Sequence, residues 1–362
     1  MTKQLIFPPK AILESHSFIV DTHCHLCDCL TVHPLLENSR EHNVNIIISN
    51  ATNPCDWEEN LTFCEEVHIQ YHNLPPDQPL HPSLPFPIPF LGLHPWMIKH
   101  QPTTWLDDLR TLLLQYPMCG VGEIGLDKIK IASQKFPDYP TFPMQTAAFR
   151  QQIDLAFELN RPCSVHCVRS VGNICDILTK QRNKQRLPPA VILHSYGGPH
   201  DFIPLLLEAC TPVSTIPPKT KHFHLPKEEV LANSRLFFSF SGTILDKTGR
   251  DPLAVCVREI PRDRILIETD APTFDSMYAA FEEGACSEPA STRLVLKHVT
   301  ELLNEGRCPA ESQEGEHTND QPLPSEVDNP LLTEQDVIAQ MFSTFKRAYS
   351  SILTITHKQS DP

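Results

Sequence analysis

Short apolar runs rich in β-branched and aromatic residues recur along the chain, and each is followed by a longer stretch with hydrophobic positions three and four apart. Eight runs stand out: Ser17–Asp21 continuing into His23 and His25, then Val44–Asn50, Ile88–His94, Met118–Glu123, Pro162–His166, Ala190–His194, Leu236–Ser241 and Arg264–Asp270. The periodicity between them predicts helices over 34–42, 57–69, 105–116, 143–160, 171–182, 201–210 and 251–260, with a closing pair at 290–304 and 333–353. Repeated strand–helix alternation predicts an α/β fold, a (β/α)8 TIM barrel, because parallel strands need crossover helices and eight such units close on themselves. The length of 362 residues suits one barrel domain over 1–362 better than two independent units.

Three stretches break the alternation. Residues 72–89 are rich in proline and are expected to form a surface loop leading into the third strand. Residues 212–227 read as an extended, locally basic connection, and the polar, acidic stretch 305–332 as a flexible insertion between the last two helices.

The polar residues are not scattered. They stand at the C-terminal ends of the apolar runs, in DTHCH, GLHP, GEIGLD, VHCVR, LHSYGG and ETDAP, which is the end where barrels of this class place their active sites. His23 and His25, two apart on an extended strand, point the same way and can enter one metal site. Asp21 shares their face as a candidate to orient a ligand. Glu123 follows Gly122 and stands two before Gly125, glycines that let the backbone come close to a ligand, a placement suited to bridging two cations. His166 and His194 end two further runs, and Asp270, at the end of the last, can both bind metal and take a proton from water. Four histidines and two carboxylates suffice for two divalent cations (Mg2+, Mn2+ or Zn2+) about 3.5–4 Å apart, and such a pair suits hydrolysis. Glu123 and Asp270 are therefore the candidate catalytic residues.

Composition narrows the partners. A formal charge of −14 excludes a protein that holds nucleic acid on a broad basic surface, but not a nuclease whose positive charge is metal. Thirteen cysteines on a chain this long read as reduced thiols, placing the protein inside the cell, cytoplasmic and/or nuclear. No apolar run approaches the roughly 18 residues of a membrane span, so no membrane partner is expected. Cys24, Cys27 and Cys29 carry soft ligands at close spacing without a finger-type partner, and are read as structural. Lys219, Lys221, His222 and His224 are read as a solvated loop, and Trp96 and Trp105 as packing residues with a possible second use in stacking on a base.

In order along residues 17–275, DTHCHL, GLHPW, GEIGLD, VHC, LHSYGG, FSGTIL and IETDAP resemble the motifs of the TatD-type deoxyribonucleases, within the amidohydrolase superfamily. The proline-rich loop and acidic insertion resemble the larger fungal members, which include a protein described as interacting with a cell-cycle complex subunit. The resemblance implies that His23, His25, Glu123 and Asp270 hold one metal, that Glu123, His166 and His194 hold the other, and that His94 faces the substrate phosphate. It implies cleavage of DNA or oligonucleotides in the manner of a 3′-5′ exonuclease. Two departures stand out: His194 is followed by Ser195-Tyr196-Gly197-Gly198, and Arg169 lies one place beyond the family's H-x-R pattern. The rival readings are a hydrolase of an amide or ester that is not nucleic acid, and an adaptor that recruits a protein partner through its acidic insertion.

Overall fold

The structure, a computed structural model, describes residues 5–14, 17–26, 32–75, 83–133, 137–213, 225–245, 252–272, 287–305, 307 and 330–353. Eight parallel strands follow one another in sequence order: β1 (Ile19–Cys24), β2 (Val44–Asn50), β3 (Phe86–Leu91), β4 (Gly120–Asp127), β5 (Cys163–Val168), β6 (Val191–Leu193), β7 (Leu236–Phe240) and β8 (Ile265–Ile267). They form the expected (β/α)8 barrel. Side-chain and backbone hydrogen bonds close the seam between its first and last strands: the Thr22 hydroxyl donates to the Ile267 carbonyl (2.9 Å), and the amides of Thr269 and Asp270 donate to the Asp21 carboxylate (3.0 Å) and the His23 carbonyl (2.9 Å).

The helices are α1 (Lys10–Glu14), α2 (Val32–Glu41), α3 (Pro54–His72), α4 (Trp105–Gln115), α5 (Phe142–Glu158), α6 (Val171–Asn183), α7 (Ile203–Ala209), α8 (Lys227–Asn233), α9 (Pro252–Glu259), α10 (Thr292–Asn304), α11 (Glu334–Ala348) and α12 (Ser350–Leu353). Local sequence starts several of them. Asn53 with Asp56, and Thr333 with Asp336, form reciprocal caps at the starts of α3 and α11, each satisfying amides that the first turn leaves without partners. The closing pair packs on the seam. The apolar face of α11 carries Phe342 and Phe345 against β1 and β8, and the Tyr349 hydroxyl reaches the Thr22 carbonyl at 3.4 Å.

The proline-rich stretch needs correcting at both ends. Helix α3 runs to His72, and β3 starts at Phe86, inside the predicted loop, while 76–82 lie outside the described residues. Pro87 and Pro89 fit a strand because the β3–β4 ladder begins only at Phe90↔Gly120, past both of the missing donors. The basic connection falls largely outside the described residues, as do Lys219, Lys221, His222 and His224, and its end is the first turn of α8. Most of the acidic insertion, residues 306 and 308–329, is also outside them. Its two ends meet: the Asn304 side chain bonds both the amide (2.8 Å) and the carbonyl (2.9 Å) of Leu332, and Arg307 donates to the Pro330 carbonyl at 2.9 Å. The chain can thus leave and rejoin the α10–α11 pair without parting it. Among the described residues no helix is long and apolar enough to cross a membrane.

Candidate active site

The histidines and carboxylates singled out in the sequence meet at the C-terminal mouth of the barrel, with Glu123 at the centre. Strand β4 carries it there through a close approach to β5. Gly125 pairs with His166 and has φ of 153°, and a Cβ on it would sit 2.0 Å from the His166 carbonyl oxygen. Only glycine allows the two strands, and the two side chains they aim, to lie this close.

Glu123 divides its oxygens between two groups. Oε2 lies 3.2 Å from His25 Nε2 and 3.5 Å from His23 Nε2, while Oε1 lies 2.7 Å from His194 Nε2 and 2.8 Å from His166 Nδ1. Asp270 Oδ1 completes the first group, 3.4 Å from His25 Nε2 and 3.8 Å from His23 Nε2. The two acids differ in access: the Asp270 side chain is 26% exposed and Glu123 only 4%. One faces the mouth and the other forms the floor.

What stands behind the rings determines which nitrogen faces inward. His25 Nδ1 donates to the Asn50 carbonyl (3.0 Å), His194 Nδ1 lies 3.3 Å from Glu268 Oε1, and His166 Nε2 lies 3.4 Å from Asp127 Oδ2. Each outer nitrogen faces an oxygen that can only accept, so it carries one proton and leaves the inner nitrogen to take a second proton or a cation. Three inner nitrogens then confront Glu123 oxygens at 2.7–3.2 Å. Such contacts repel unless a proton or a cation lies between them. This donor set, nitrogen and carboxylate oxygen around a shared acid, fits divalent metal.

His94 differs. Its Nδ1 accepts the Trp96 amide at 3.2 Å, so the proton is on Nε2, which lies 3.3 Å from Glu123 Oε1. Burial lowers its pKa to about 4 and keeps it neutral. It presents an N–H to the site, its own lone pair being taken by the Trp96 amide.

The electrostatics follow the same division. Burial works against charge on His25 and His194, yet the carboxylates around them hold both well above the ordinary histidine value. Burial also opposes ionisation of Asp270, but the His25 hydrogen bond and the neighbouring rings bring it to about 2. Glu123, likewise buried, is held well below the carboxylate range by His194 and its neighbours. Both acids are ionised at neutral pH.

Asp21 sits beside His23 as expected, but it holds backbone and not a ring. It accepts the His23 amide (3.3 Å), the Thr269 amide (3.0 Å) and the Thr269 hydroxyl (2.6 Å), tying β1 to the chain beyond β8. Burial pushes its carboxyl up to about 8 despite the Thr269 donors. Two supporting acids were not singled out. Glu268, fully buried, accepts the Ser195 amide at 2.7 Å besides facing His194. Asp127 accepts the Trp96 indole N–H at 2.8 Å besides facing His166. Both stand inside the quoted motifs, ETDAP and GEIGLD, but the partners that give them roles are 74 and 39 residues away in the chain. Trp105 packs on the core away from this cluster, Cys24 is buried with its thiol toward the Ile48 carbonyl, and Cys27 and Cys29 lie outside the described residues.

A family described as TatD related DNase matches residues 20–350. An uncharacterized metal-dependent hydrolase of Buchnera aphidicola is 23% identical over 295 residues, 79% of this chain and 89% of that protein. The protein named 3'-5' ssDNA/RNA exonuclease TatD from Edwardsiella piscicida is 29% identical over 185 residues, 50% of this chain and 56% of that protein. Cut9-interacting protein scn1 of Schizosaccharomyces pombe is 28% identical over 161 residues, 34% of this chain and 44% of that protein. The match therefore spans about half the length of the last two. Among solved structures, the TatD homologue YJJV of Escherichia coli superposes with a TM-score of 0.62 at 18% identity, covering 93% of this chain and 99% of that one, a likeness of fold.

Proposed function

The chain belongs to the TatD related DNase family of metal-dependent hydrolases, and from that premise we propose that it is a deoxyribonuclease that trims DNA or oligonucleotide strands from the 3′ end. The observation that carries this reading is the Glu123 carboxylate, one oxygen of which faces His23 and His25 while the other faces His166 and His194, with His94 beside them. His23, His25, Glu123 and Asp270 would hold one divalent cation, and Glu123, His166 and His194 a second, with Mg2+, Mn2+ and Zn2+ as the candidates. When bound, the pair would supply Lewis acidity toward the phosphodiester and acidify a water.

The protein groups divide the remaining work. Asp270, ionised and open to the mouth, accepts the proton of the attacking water as its oxygen bonds to phosphorus. The bond from phosphorus to the leaving sugar oxygen then breaks, and the proton passes to that oxygen. His94 Nε2–H donates to a non-bridging phosphate oxygen, a role that suits its neutral state and its outer nitrogen's bond to the Trp96 amide. Glu123, closed off from solvent, stays a carboxylate throughout.

The test is cleavage of end-labelled single-stranded DNA by metal-free protein after Mg2+, Mn2+ or Zn2+ is restored. Metal-dependent laddering is expected, reduced about 10²–10⁴-fold in Glu123→Ala and Asp270→Ala. Hydrolysis of a simple amide or ester with no cleavage of DNA would replace this reading with that of an amidohydrolase. The likeness to a protein named for its interaction with Cut9 supports a protein partner, for which the acidic insertion would be the docking element. Deleting 308–330 should then spare hydrolysis and weaken partner capture. Buried cysteines such as Cys119, Cys163 and Cys210 suit an intracellular setting, cytoplasmic or nuclear.

A further inference from the structure

The mouth of the barrel carries an aromatic and basic cluster that the hydrolytic centre does not use. The Trp96 ring borders that centre, its centroid 4.8 Å from His94 and 6.0 Å from His166. Asp127 fixes its edge through the indole N–H, and the other oxygen of the same carboxylate accepts the amides of Ile129 (2.6 Å) and Lys130 (3.0 Å). One acid thus ties His166, Trp96 and the segment after β4 together. That segment brings the Lys130 ammonium to 5.6 Å from the centre of the Trp96 ring and 5.4 Å from that of Tyr139. The two rings stand nearly perpendicular, 6.4 Å apart, and all three side chains are partly exposed.

We propose that Trp96, Lys130 and Tyr139 form a subsite for the nucleotide unit adjoining the scissile phosphodiester. This rests on the nuclease reading above. Aromatic faces stack on any unpaired base, and an ammonium between them can meet the next phosphate, the combination by which single strands are gripped without regard to sequence. A chain with a net charge of −14 otherwise repels a polyanion. A lysine at the rim provides attraction where the strand enters. The alternative is that the cation–ring contacts only pin the segment after β4 in place.

The experiment is fluorescence anisotropy of a fluorescein-labelled hexathymidylate with phosphorothioate linkages, which slow its turnover, on the full chain supplied with Mn2+. Lys130→Ala should weaken binding about tenfold and lower the slope of log affinity against log salt by about 0.7, the contribution of one phosphate contact on a single strand. Tyr139→Ala should weaken binding by a similar factor without changing the slope, and Tyr139→Phe should restore it. Wild-type affinity in both alanine variants, an unchanged salt slope in Lys130→Ala, or no binding by wild type would overturn the subsite. Hydrolysis of the ordinary oligonucleotide, followed in parallel, separates the two claims. Binding that depends on these residues without any hydrolysis refutes the nuclease reading and leaves the subsite standing; hydrolysis with unaltered binding in the variants does the reverse.

Discussion

Glu268 offers a sharp test of how the site is held. It has no exposed surface, and its Oε1 takes two donors at once, the Ser195 amide at 2.7 Å and His194 Nδ1 at 3.3 Å. Among the described residues its Oε2 has no hydrogen-bond partner. Glu268→Gln can therefore keep the oxygen that accepts both donors and place its amide nitrogen where Oε2 stood. The shape is preserved and the charge is lost. An anion behind an imidazole makes the opposite nitrogen more basic and fixes its direction, and the loss of such a partner lowers metal affinity about 10–100-fold. This corresponds to about 1.4–2.7 kcal/mol. Glu268→Ala removes the acceptor altogether, and each buried donor left unpaired costs about 1–3 kcal/mol of fold stability in addition. The assay is competition for Zn2+ between the metal-free protein and a chromogenic chelator, with thermal unfolding measured alongside. Glu268→Gln should bind metal at least tenfold more weakly while its unfolding temperature stays within a few degrees of wild type. Wild-type affinity in that variant would refute the claim that Glu268 acts through His194.

Two further outcomes follow from the same structure. Gly125→Ala would set a methyl group against the His166 carbonyl, 2.0 Å away, at a φ of 153°; a loss of about 3 kcal/mol is expected, and unchanged thermal stability would contradict the close β4–β5 approach. His68 is buried, with Nδ1 accepting the Ile6 amide (3.2 Å) and Nε2–H donating to the Pro87 carbonyl (2.7 Å), and burial lowers its pKa to about 4 from an ordinary 6.5. The unfolded chain takes up this proton before the folded one does, so stability falls as pH drops from 6.5 toward 4, by about 2 kcal/mol between pH 7.5 and 5. Denaturant unfolding should show this loss in wild type beyond that of His68→Gln, and equal losses in the two proteins would disprove it.

The barrel was legible because each strand is an apolar run and six of the eight runs end in a polar motif, a pattern set by the chain itself. Where the strand ends lay elsewhere, tertiary contacts moved them. β8 stops at Ile267, since Thr269 turns to bond Asp21 and Asp270 takes a φ of 54°. β4 runs on to Asp127, because Gly125 lets it stay paired with β5. The prolines at 87 and 89 hid the start of β3 because their effect depends on which neighbour the strand pairs with at that point. At the site, the sequence brought forward the six residues whose nitrogens and oxygens converge on one point, together with His94. It did not expose Glu268 or Asp127, whose neighbours in the chain say nothing of the distant histidines they face.

The central claim is that Glu123 serves two metal positions at once. Metal content after equilibrium dialysis of the purified chain against Mn2+, determined by elemental analysis for wild type and Glu123→Gln, tests it most directly. Two cations per chain in wild type, with fewer retained in the variant, are the expected result; one cation or none in wild type, or equal content in both proteins, would contradict it.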